Sequence, residues 1–109
     1  MFPRYGPRIA VACDVTLVGE HFHGEGRVLD VSLPGCLLES PHPVQVGDYL
    51  ELRVFLPDRA YPLRIPLAAV RWVHGTLAGL EFIQSSPDDQ ARLNEFIQRY
   101  GRESVCPAT

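Results

Sequence analysis

Tyr49-Leu50-Glu51-Leu52-Arg53-Val54-Phe55-Leu56 sets Leu50, Leu52, Val54 and Leu56 on one side of a period-two pattern, with Glu51, Arg53 and Phe55 on the other. Successive side chains of a strand point to opposite faces, so the stretch predicts a half-buried strand with one polar edge. Working outward, Val46-Gly47-Asp48 predicts the turn before it and Pro57-Asp58-Arg59 the turn after it. A long run from Tyr61 to Val73 follows, with a bend expected near Pro66, and His74-Gly75-Thr76 leads into a last strand from Leu77 to Ile83. Upstream, Ile9 to Val18 is rich in valine and isoleucine and meets Gly19-Glu20, and Arg27 to Ser32 resumes with partial alternation. Pro34-Gly35 then predicts a turn with glycine at positive φ, and Cys36 to Glu39 a short third strand. Six short strands joined by tight turns predict a mostly β fold, a six-stranded antiparallel barrel.

The period changes near the end. Ser86, Pro87 and Asp89 supply an N-cap, a proline at the first helical position and an acidic capping residue. Leu93, Phe96, Ile97 and Tyr100 recur at helical spacing, so a C-terminal α-helix over 87–100 is expected to lay an apolar stripe on the barrel. Gly101 is expected to stop it, leaving 101–109 as a tail. The whole chain, 1–109, thus reads as one domain: an N-terminal arm over 1–8, a barrel over 9–83, the helix and the tail.

A chain of 109 residues, 46% apolar and 21% charged, has the size and composition of a domain with one core. Its longest apolar runs fall far short of the roughly 18 residues of a membrane helix, so no membrane insertion is expected. The opening residues lack the apolar run of a secretory signal, which points to the cytoplasm. Three cysteines, Cys13, Cys36 and Cys106, without Cys-x-x-Cys spacing argue for reduced thiols. The net charge of -3 provides no bulk positive field for a nucleic-acid polymer. Any anion bound must be small and held by a local cluster.

Two short polar signatures supply such a cluster: Arg4-Tyr5-Gly6-Pro7-Arg8, and Asp30-Val31-Ser32-Leu33-Pro34-Gly35. Arginine presents a planar fork that bonds the O6/N7 edge of guanine or a phosphate, and its flat face stacks on a purine. Aspartate accepts from the donor edge of the same base, serine adds a small hydroxyl, and glycine lets backbone approach a ligand. Together they describe a site for a guanine-containing anion. Proline biases Gly6 to extended backbone, so Arg4 and Arg8 stand up to roughly 13 Å apart, enough to straddle a folded dinucleotide.

On these residues the chain resembles the PilZ domain family, bacterial receptors for cyclic di-GMP. The family's Arg-x-x-x-Arg and Asp/Asn-x-Ser-x-x-Gly signatures correspond to Arg4 to Arg8 and Asp30 to Gly35, with 21 residues, 9 to 29, between them. Ala69-Val70-Arg71-Trp72-Val73 and Gly79-Leu80-Glu81-Phe82 are similar to the family's later strands. The resemblance implies a receptor or adaptor without catalysis or cofactor. Cyclic di-GMP would be its ligand and an unidentified downstream protein its partner, in motility, biofilm or exopolysaccharide control. It implies ligand contacts from Arg4, Arg8, Asp30, Ser32 and Gly35; the arm that carries Arg4 and Arg8 is expected to be flexible and to be ordered by the nucleotide. Arg71 and Trp72 are further candidates, Arg71 facing either ligand or solvent and Trp72 reading first as core. The alternative is a PilZ-like adaptor, as in pilus assembly, that binds protein but no nucleotide.

Other chemistry is poorly supplied. His21 and His23, with Glu20 and Glu25 nearby, carry metal-ligand groups, but so short a cluster on a predicted loop reads as solvated, and no metal is expected. Cys36 and His42 make a nucleophile pair only if folding brings them together, and no Gly-x-Ser-x-Gly, His-Glu-x-x-His or Gly-x-x-x-x-Gly-Lys motif is present.

Overall fold

The computed structural model of the chain describes residues 8–58 and 61–105. Six strands, β1 (Ile9–Val18), β2 (His23–Val31), β3 (Gly35–Glu39), β4 (Tyr49–Val54), β5 (Leu63–His74) and β6 (Leu77–Gln84), are followed by one helix, α1 (Pro87–Val105). All pairings are antiparallel and the sheet closes in the order β1-β2-β3-β6-β5-β4. Closure gives each of the six strands a neighbour on both sides, so none lies at the margin of an open sheet.

The alternation seen in the sequence explains which side chains fill the barrel. Leu50, Leu52 and Val54 of β4 point inward at 2% exposure or less, and meet Val15 and Leu17 of β1, Val28 of β2, Leu38 of β3, Leu63 and Ile65 of β5 and Leu80 of β6. Leu93, Phe96 and Ile97 of α1 join the same core. Burying each is worth about 1.5–3 kcal/mol, which is what holds the helix on the barrel. Ser86 caps α1 as its sequence predicts: its Oγ accepts from Asp89 N at 3.1 Å and its carbonyl from Gln90 N at 2.9 Å. Arg92 adds a buried tie, Nη2 to Asp58 Oδ1 at 3.1 Å, with its guanidinium 4.6 Å from the centre of the Tyr61 ring.

Register irregularities place an extra residue in β1 between Ala10 and Cys13, in β2 between Val28 and Asp30, in β5 between Ile65 and Ala68 and again between Val70 and Trp72, and in β6 between Phe82 and Gln84. Such bulges bend and twist a strand, as a small barrel demands. The first irregularity in β5 includes Pro66, where the sequence predicts a bend.

Several expectations need correction. The helix passes through Gly101 to Val105. One interior glycine costs only about 1 kcal/mol relative to alanine, too little to end a helix by itself. Gly35 is not at positive φ: among the described residues only Gly47 (96°) and Gly75 (64°) are, in the two turns that the sequence places there. Leu33 and Pro34 form the bend instead, and Gly35 opens β3. β2 begins at His23, four residues before the predicted start, because hairpin pairing with β1 recruits Gly24 and Gly26. Among the described residues, no helix is long and apolar enough to cross a membrane.

Candidate functional site

The β1–β2 hairpin brings the two signatures together. Its register sets Ile9 opposite Val31 and Ala10 opposite Asp30, so Arg8, one residue before β1, emerges beside the end of β2. Arg8 Nη1 donates to Asp30 Oδ1 at 2.7 Å, the length of a charge-assisted bond. The pair is part exposed, 45% for the Arg8 side chain and 22% for Asp30, and so is open to an incoming anion or base. Arg4 lies outside the described residues, as does the rest of the arm up to residue 7.

The rest of the second signature builds the turn. Ser32 is buried, its N donates to the Gly35 carbonyl at 2.8 Å, and its Oγ donates to the same oxygen at 3.2 Å. Phe82 N donates to the Pro34 carbonyl at 2.8 Å, which clamps the turn to β6. Ser32 and Gly35 therefore shape the rim from which Asp30 projects.

Strand pairing extends this rim around the barrel. Asp30 is opposite Leu37, Leu37 opposite Gly79 and Gly79 opposite Trp72, one transverse row over four strands. Three strand spacings make the row roughly 14 Å long. Gly79 has no side chain, and the space a Cβ would take is occupied by the Trp72 indole. Trp72 is 40% exposed, which corrects the reading of it as core. The bulge at Val70/Trp72 is the cause: Val70 points inward, and the added residue turns Trp72 outward. Arg71 Nε donates to Glu81 Oε1 at 2.6 Å, and Glu81 stands opposite Gly35. Sequence reasoning missed Glu81 as a site residue. The available signal was an Arg and a Glu of opposite charge on either side of the His74-Gly75-Thr76 turn, within reach once those strands pair.

Cys36 lies in the core opposite Val31, and burial, reinforced by the Asp30 charge, pushes its thiol far above the ordinary range. It is a packing residue rather than a nucleophile. His42 lies beyond the other end of β3, stacked on Phe22 with 5.9 Å between ring centroids, so the two are not brought together as a pair. His21 and Glu20 approach to 3.9 Å with both side chains almost fully exposed. Among the described residues there is no group of three or more side chains suited to hold a metal ion.

The sequence matches the PilZ domain family model over residues 2–99. Among solved structures, the inhibitor of motility MotI/DgrA from Bacillus subtilis aligns with a TM-score of 0.80 at 20% identity, over 96% of this chain and 54% of that one. The chain thus spans about half the length of the Bacillus protein. The PilZ domain of YcgR from Escherichia coli, solved with c-di-GMP, aligns with a TM-score of 0.70 at 17% identity, over 96% of both chains. The PilZ domain of CeSA from a cellulose-synthesizing bacterium gives 0.65 at 15% identity, over 90% of this chain and 99% of that one. These likenesses establish the fold. Comparison with curated proteins gave no match.

Proposed function

The chain belongs to the PilZ domain family, and from that membership we propose that it is a cytoplasmic receptor for cyclic di-GMP that passes its bound state to a protein partner. PilZ domains are receptor and adaptor domains, not enzymes. The observation that carries the reading is the 2.7 Å contact between Arg8 and Asp30, which joins two signatures 21 residues, 9 to 29, apart on one rim. Support also comes from the E. coli PilZ domain solved with c-di-GMP and from the Bacillus inhibitor of motility.

In this mechanism Asp30 has two tasks. It aims the Arg8 guanidinium outward, and its carboxylate accepts from the donor edge of a guanine. Arg8 takes a phosphate or the O6/N7 edge, and Arg4 is assigned the second base or phosphate by its place in the motif. Ser32 holds the turn, Gly35 gives room for the ligand to approach the backbone, and Trp72 offers an indole face for stacking. Each bidentate base contact is worth about 1–3 kcal/mol, so several must combine to offset the cost of immobilising ligand and protein groups.

Calorimetric titration with cyclic di-GMP, using linear GMP and cyclic di-AMP as controls, tests the assignment. Saturable binding confined to cyclic di-GMP is the expected result. No heat and no competition at any accessible concentration would leave an adaptor that works through protein contacts alone.

A further inference from the structure

We propose that Glu81, held by Arg71, is a specificity-determining residue that reads the Watson–Crick edge of a guanine; this rests on the receptor reading above. The edge of guanine presents, in order, the O6 acceptor, the N1–H donor and the N2 amino donor. A guanidinium beside a carboxylate presents the complement, a donor followed by two acceptors. The bond between Arg71 and Glu81 uses Nε and Oε1, and among the described residues neither side chain makes another hydrogen bond. The Nη donors of Arg71, Oε2 of Glu81 and the second lone pair of Oε1 therefore remain for a ligand.

Placement distinguishes this ion pair from others on the surface, such as Arg64 and Glu51 at 3.0 Å. Glu81 pairs across the sheet with Gly35, so no side chain stands between its carboxylate and the signature turn. Arg71 precedes Trp72, whose indole covers Gly79 in the row that begins at Asp30. Two strand spacings and two residue rises put the Cα atoms of Asp30 and Glu81 roughly 12 Å apart. That separation suits two guanines of one cyclic dinucleotide, one read at Arg8 and Asp30 and the other at Arg71 and Glu81. Adenine reverses the first donor and acceptor of the edge and is refused. Hypoxanthine keeps O6 and N1–H but lacks the amino group that Oε2 accepts.

The test is calorimetric titration of wild type, Glu81→Gln, Glu81→Ala and Arg71→Met with cyclic di-GMP and with its inosine analogue, cyclic di-IMP, alongside thermal unfolding of each. Wild type is expected to prefer cyclic di-GMP by about tenfold. Both Glu81 variants should reduce that preference to about twofold or less with unchanged unfolding temperature, while Arg71→Met weakens both ligands and keeps the preference. Binding of cyclic di-GMP by wild type with no preference over the analogue overturns the role of Glu81, and so does a preference that survives in the Glu81 variants; the receptor reading stands in both cases. Failure of wild type to bind cyclic di-GMP at all overturns the receptor reading itself.

Discussion

Asp30 joins Arg8 at 2.7 Å on an exposed rim, and an exposed ion pair contributes little to folding. Asp30→Ala is therefore expected to change unfolding free energy by less than about 1 kcal/mol, while weakening cyclic di-GMP binding by about tenfold or more. Denaturant unfolding and titration of the same preparation check both halves. A large stability loss would make Asp30 a structural residue. The buried thiols make a second prediction at this scale. Burial pushes both Cys13 and Cys36 above the ordinary value of about 9, so the folded chain retains these protons at a pH where the unfolded chain releases them. Their contribution is intact below about pH 9 and is lost as pH rises beyond it. The urea midpoint should thus fall between pH 9 and roughly pH 10.5, and fall less in Cys36→Ala. An equal fall in that variant would assign the effect to other groups.

Among the elements, β5 and β6 show how much depends on a single missing side chain. Trp72 rests where Gly79 would carry a Cβ, so Gly79→Ala should displace the indole from the rim. A shift in the fluorescence of this single tryptophan, with a stability loss of about 1–3 kcal/mol from overpacking, is expected. Unchanged emission would mean that the strands separate instead. These strands were only partly legible in the sequence. Alternation identified β4 and the two glycine turns, because each depends on a few neighbouring residues. The outward placement of Trp72 was not legible, since alternation carried past the bulge sends a large aromatic to the wrong face. The early start of β2 was hidden for a related reason. Gly24 lies beneath the His42 ring and Gly26 against the Glu39 carbonyl, and these close approaches override glycine's poor strand preference.

For the whole molecule, α1 is joined to the barrel by its apolar stripe and by the buried contact of Arg92 with Asp58. The side chains of Arg92 and Asp58 are 6% and 10% exposed, and Arg92 Nε and Nη1 have no hydrogen-bond partner among the described residues. Removing the carboxylate leaves a guanidinium buried without its counter-charge. Asp58→Ala should therefore cost about 3–5 kcal/mol, read by denaturant unfolding, far more than the exposed pair at Asp30. A cost below about 1 kcal/mol would mean that water reaches Arg92 and that the helix is held by its apolar stripe alone. Strand periodicity, the helix with its cap, and the two signatures were decided by the sequence itself, because each is a property of residues close together along the chain. The meeting of Arg8 with Asp30, the pairing of Arg71 with Glu81 and the exposure of Trp72 were decided only by the tertiary structure. They depend on strand register and on bulges, and closing six strands around one core selects those for the barrel as a whole.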